Sequence, residues 1–172
     1  MRRPVAVRVV GSFELVFRPA LIAIALTIVL ATPVKVFGMT LPEPVLPMVL
    51  AFAWPLIRPS MLAPAVLFAL GLFLDIFWGG TLGTWPLALL AVYAVVLGSR
   101  NLLAGQETRV LFVWYAICTG FAFILAYLVV SLDAGRPPSL LALVLQVLPT
   151  LLLFPLADWM VHRFDDGDVR FR

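Results

Sequence analysis

The feature that most constrains this chain is a series of six apolar runs separated by short polar or proline-rich stretches. They lie at about 19–38, 44–57, 61–78, 83–103, 109–132 and 139–161. A helix needs about 20 apolar residues to cross the hydrocarbon of a bilayer. Five runs meet or approach that length, and the second falls short. With 63% hydrophobic residues and a mean hydropathy of +1.11, the chain lies far above the roughly 45–50% apolar content of soluble domains. The expected fold is therefore all-α: a polytopic bundle of six transmembrane helices.

The second run has prolines toward both ends: Pro42, Pro44 and Pro47 at its entry and Pro55 near its exit. Proline removes a backbone donor and bends a helix. In lipid such a segment persists where neighbours satisfy the freed carbonyls. Helix two is thus expected to be irregular and to sit inside the bundle.

Basic residues set the orientation. With the N-terminus in the cytoplasm, Arg2, Arg3, Arg8, Arg18, Arg58, Arg100, Arg109, Arg163, Arg170 and Arg172 lie inside, and Lys35 and Arg136 lie outside. Ten against two matches the positive-inside bias of short loops. Both termini are then cytoplasmic, and the basic balance reflects topology rather than nucleic-acid binding. The chain divides into a cytoplasmic segment 1–18, a six-span domain 19–161 and a cytoplasmic tail 162–172. Within the first segment, Val5, Val9, Phe13, Val16 and Phe17 share one helical face and Arg8, Ser12 and Arg18 another. That suits a basic amphipathic helix on the membrane surface; the alternative is an extended tail. The tail DDGDVRFR reads as a solvated, mobile end.

One acid stands out. Asp75 lies in the third run, about one turn before Gly79-Gly80-Thr81-Leu82-Gly83. An intramembrane acid costs roughly 2.5–3.5 kcal/mol at the bilayer centre, less near the interface. It is expected to accept hydrogen bonds from amides of the turn, or from Thr81 or Thr84, making a fixed corner between helices three and four. Gly71, at i−4 from Asp75, permits close helix approach. With the bent second helix, it is expected to leave an irregular outer surface for a partner's single-span helix. Asp158 and His162, spaced i, i+4 with Arg163 next, read as an interfacial ion pair or anchor. Gln146 reads as interhelical glue, and Glu43 as a loop acid near Lys35. The tryptophans Trp54, Trp78, Trp85, Trp114 and Trp159 read as an interfacial belt.

Enzyme chemistry finds little to work with. The single Cys118 and single His162 offer no disulfide, metal cluster or triad, and no phosphate-binding or metalloprotease motif occurs. No cofactor or metal is implied.

The stretch LPEPVLPMVLAFAWPLIRPS followed by APAVLFALGLFLDIFWGGTLGTWPLALLAVY resembles the rod shape-determining protein MreD family. Its marks are the proline-rich approach to span two, Trp54 before the Arg58-Pro59 turn, Gly71 before Asp75, and Leu82-Gly83 opening the next span. Pro149 and Pro155 in the last span also fit. The likeness covers about 40–160, with 52–93 its specific part. It implies a multi-pass protein of the bacterial inner membrane that belongs to the elongasome. Such a protein is a scaffold that regulates cell shape and side-wall peptidoglycan synthesis. The partners implied are a MreC-like bitopic protein, RodA with its transpeptidase, and MreB filaments, with the corner around Asp75 facing a MreC-like partner. The family in turn is similar to the six-helix substrate-binding subunits of energy-coupling-factor transporters, a likeness of fold that carries no function by itself. The competing reading is a solute-binding or transporter subunit with a periplasmic-side pocket, using Asp75, Thr81, Thr84 and Gln146.

Overall fold

The computed structural model describes residues 8–10, 12–31, 35–36, 39–40, 42–134, 139–165 and 169–171. It is all-helical apart from two short two-stranded ribbons. The elements run β1 (Arg8–Val10), α1 (Ser12–Leu30), β2 (Lys35–Val36), β3 (Met39–Thr40), α2 (Pro47–Ile57), α3 (Leu62–Trp78), α4 (Thr84–Gly98), α5 (Arg100–Leu103), α6 (Thr108–Ala134), α7 (Leu140–Leu151), α8 (Phe154–Asp165) and β4 (Val169–Phe171). The segments Thr108–Asp133 and Leu140–Arg163 are long and apolar enough to cross a membrane.

The short second helix is the axle of the fold. Every residue from Pro47 to Pro55 is buried. Around α2 pack α1, α3, α4, α6 and α8, while α7 rests mainly on α6. A helix that is apolar all round has no polar face to turn outward, so it goes to the centre. Phe52 meets Tyr115 of α6 edge-on at 5.3 Å, and Tyr115 meets Phe154 of α8 at 5.7 Å. The outer helices each bury one face and present a second apolar face outward. Ile22, Ile76, Ile117, Ile124, Leu141 and Val144 are all more than half exposed.

Several boundaries differ from the sequence reading. The first helix begins at Ser12 and ends at Leu30, rather than covering 19–38. Its buried residues Leu15, Val16, Ala20, Ala23 and Thr27 follow the helical repeat back through the polar first turns. There Glu14 and Arg18 pair across one turn at 2.9 Å, both well exposed. A surface helix over 5–17 is therefore incorrect: Ser12–Phe17 opens α1 and Arg8–Val10 is a strand. Residues 1–7 and 11 lie outside the described set. That strand pairs in parallel with Val169–Phe171, so this part of the tail is not a free end.

Proline chemistry interrupts the last run over Leu152–Leu153. Pro155 cannot donate to the Leu151 carbonyl, nor Pro149 to that of Leu145. The chain compensates with tighter bonds: the Leu153 amide donates to the Thr150 carbonyl at 3.2 Å and the Leu156 amide to the Leu153 carbonyl at 3.0 Å. The fourth run is likewise split at Ser99 into α4 and α5.

Candidate functional site: the corner between α3 and α4

The corner begins with the end of α3. Gly79 adopts the left-handed conformation, φ 64°. Its amide donates to the Ile76 carbonyl at 3.3 Å, and the Gly80 amide donates to the Asp75 carbonyl at 2.9 Å. These two bonds form a Schellman closure. Glycine holds such a φ without the Cβ clash that other residues meet.

Asp75 then caps the next helix from outside. The residue at the N-cap of α4 is Gly83, φ 97°, which has no side chain to cap with. One Asp75 carboxylate oxygen accepts from the Gly83 amide at 2.6 Å, and the other from the Trp85 amide at 3.1 Å. The remaining amides of the first turn are also accounted for. Thr84 donates to the Thr81 carbonyl at 3.3 Å, and Leu87 donates to the Gly83 carbonyl at 3.1 Å. Pro86 has no amide to satisfy. Helix starts normally leave such donors orphaned; here an acid of the preceding helix takes two of them. The positive end of the α4 dipole further favours the carboxylate. Asp75 is 1% exposed. Hydrogen bonds to a charged acceptor contribute about 1.5–3 kcal/mol each, enough to offset the insertion cost of the acid.

Close approach makes this geometry possible. A Cβ built on Gly71 would lie 2.3 Å from the Pro86 nitrogen and 2.5 Å from its Cα. Gly71 and Asp75, four residues apart on one face of α3, thus grip the first turn of α4 together. Gly71 is consequently buried inside the protein. The expectation that it lies on an outer, partner-facing surface with helix two is incorrect, because α2 and Gly71 are both enclosed.

Around the corner, polar side chains tie neighbouring elements. Thr81 donates to the Asp133 carboxylate of α6 at 3.1 Å. The Trp78 indole donates to the Glu43 carboxylate at 2.8 Å. Gln146 of α7 donates to the Glu43 carbonyl at 3.2 Å. Glu43 therefore holds α3 and α7 to the segment leading into α2, and is more than a solvated loop acid. Trp78 and Trp85 meet edge-on at 5.6 Å, and Trp85 continues to Phe123 of α6 at 5.5 Å. Leu82, by contrast, is 68% exposed.

Thr150 joins this group and was missed by sequence reasoning. Its buried hydroxyl accepts from the Val45 amide at 3.1 Å and donates to the Gln146 carbonyl at 2.8 Å. Its carbonyl accepts from the Tyr115 hydroxyl at 3.0 Å. The sequence signal was a polar residue set directly after Pro149, where the helix ladder is already broken.

The opposite end holds the other expected residues. Trp54 is fully buried at the end of α2, its indole nitrogen without a hydrogen-bond partner, so it is not part of an interfacial belt. Trp85 is likewise a core residue. Arg58 adopts an extended conformation and ends α2, its amide donating to the Trp54 carbonyl at 2.9 Å, with Pro59 exposed beyond it. Asp158 and His162 do meet: the imidazole Nδ1 lies 2.9 Å from the Asp158 carbonyl and 3.3 Å from its carboxylate. The nearer carbonyl is the hydrogen-bond partner, and the carboxylate oxygen lies close by without a hydrogen bond. Asp158 also accepts from Thr108 of α6 at 3.3 Å. Arg163 stacks over Trp159 at 4.9 Å rather than pairing with the acid. No group of three or more metal-ligating side chains occurs among the described residues.

No protein-family model matches the sequence, no curated protein matches it, and no solved structure matches the fold.

Proposed function

We propose that the chain is a non-enzymatic membrane scaffold that works by binding other membrane proteins. The proposed setting is the bacterial elongasome, with a MreC-like bitopic protein as the direct partner. One observation carries this reading: three of the four polar side chains on which a solute site would depend are committed to holding helices together, and the fourth, Thr84, is enclosed at 4% exposure with its hydroxyl unpartnered. Asp75 is occupied by Gly83 and Trp85, Thr81 by Asp133, and Gln146 by Glu43. What remains facing outward is mostly apolar helix surface, which favours contact with lipid and other membrane helices.

Six crossings with α2 innermost fit the order of the elements. Pairing of β1 with β4 brings the strand before α1 and the strand after α8 to one side, which supports an even number of crossings. The positive-inside bias favours the cytoplasm as that side. RodA with its transpeptidase and MreB filaments are the wider partners this reading implies.

Affinity purification of the tagged full-length protein from native membranes tests it. A single-span protein is expected to co-purify in fixed ratio. Recovery of a stoichiometric small molecule with no membrane-protein partner would overturn it in favour of a solute-binding subunit.

A further inference from the structure

Two outer helices that fall short of a membrane-spanning length lie side by side, whereas Leu140–Arg163, which contains α7 and α8, is long enough to cross. The adjacent helices α3 and α4 have 17 and 15 residues. At about 1.5 Å per residue they rise about 26 and 22 Å. Helix α6 has 27 residues, a rise of about 40 Å. The hydrocarbon core of a typical bilayer is about 30 Å thick. A long helix meets that thickness by tilting, but a short one has no such recourse.

Neither short helix is free to lengthen. At the outer end, α3 is closed by Gly79 and Gly80, and α4 is opened by the Asp75 cap. At the inner end the Ser60 hydroxyl accepts from the Leu62 amide at 3.1 Å, and the Ser60 carbonyl accepts from Tyr93 of α4 at 3.3 Å. Below α4, the chain breaks at Ser99 and continues into Arg100 and Asn101. Between these polar ends the outward residues are apolar: Leu62, Phe68 and Ile76 on α3, Leu87 and Val95 on α4.

We propose that the α3–α4 face is a lipid contact that thins the bilayer locally, by about 4–8 Å relative to an unperturbed membrane. The occupant is annular lipid. Its chains must shorten or tilt to meet a belt that is lower here than along α6. The protein thus carries a thin rim along α3 and α4. The inference rests on the membrane-spanning reading above.

Depth measurement with nitroxide labels tests it. Single cysteines replace Leu62, Ile76, Leu87 or Leu97 on the thin face, and Val113 or Leu128 on α6, in a Cys118→Ser background. The full-length protein is reconstituted in phosphatidylcholine vesicles with 18-carbon chains, and collision with oxygen and with a nickel chelate gives each label's depth. The expected apolar height is about 22–26 Å along α3–α4 and about 30 Å along α6. Vesicles with 14-carbon chains should remove most of the difference. Equal heights near 30 Å on both faces overturn the proposal. So does shielding of the α3–α4 labels from oxygen, which would place a second protein copy on that face instead of lipid. Labels that collide with nickel throughout, on both faces, would sink the membrane-spanning reading itself.

Discussion

Replacing Gly71 with alanine adds one methyl group where the structure has no room. The new carbon would lie 2.3 Å from the Pro86 nitrogen, 2.5 Å from its Cα and 2.8 Å from its Cδ. Ordinary contact begins near 3.4 Å, so α3 and α4 must part by about 1 Å there. The obstructing atoms are backbone and ring, and none can swing away. Overpacking of this kind costs about 1–3 kcal/mol when the strain stays local. Asp75 is one turn further along the same face, however. A 1 Å separation carried that far would stretch its bonds to Gly83 and Trp85 from 2.6 and 3.1 Å to about 3.6 and 4.1 Å, beyond hydrogen-bond range. Each bond lost removes about 1.5–3 kcal/mol more. A double-mutant cycle with Asp75→Asn separates the cases, since a corner that opens makes the two losses non-additive by more than about 1 kcal/mol. The assay is thermal unfolding in detergent, with emission of the neighbouring Trp78 and Trp85 as a local reporter. Gly120→Ala is the control. Nothing lies within 4 Å of a Cβ built there, and alanine is the better helix former by about 0.5–1 kcal/mol. A Gly71→Ala protein with wild-type midpoint and unchanged emission would refute the close approach of α3 and α4.

Three further outcomes are expected. Asp75→Asn should lower the unfolding midpoint less than Asp75→Leu, because the amide keeps one acceptor while leucine leaves both α4 donors unpaired at about 1–3 kcal/mol each; equal loss in correctly folded variants would mean that the charge itself matters. Thr150→Val should cost about 1–3 kcal/mol by stranding the buried Val45 amide, and Thr150→Ser should restore most of it, measured as thermal midpoints; equal midpoints for all three proteins would remove Thr150 from its bridging role. In a Cys118→Ser background, an impermeant thiol reagent added outside cells should label Leu82→Cys and not Glu107→Cys; the reverse pattern would invert the topology.

The helical class was legible in the sequence, and so was the burial of the second run. Both follow from the cost of placing polar backbone or side chains in an apolar medium, which composition alone exposes. The commitment of Asp75 to a corner was legible in kind, since an acid beside a glycine-rich turn needs donors. Which donors it finds was not. Gly83 and Trp85 are chosen by how α4 docks on α3, which depends on a contact between residues 71 and 86. Gly71 and Gly120 look alike as mid-helix glycines. Only packing distinguishes a site with a proline backbone against it from one with open space. In the sequence Glu43 and Trp78 look like separate local features, and Thr150 is not singled out at all. Their bonds to Val45, Gln146 and each other span up to 105 residues, and no helical periodicity encodes such separations. The start of α1 is misplaced when the helix is begun after Arg18, the last charge before the apolar stretch, whereas Glu14 and Arg18 satisfy each other across one turn and let the helix begin earlier. Local chemistry set which segments become helices, while the tertiary fold decided which polar groups meet, because a hydrogen bond depends on distances that arise only when separate helices pack.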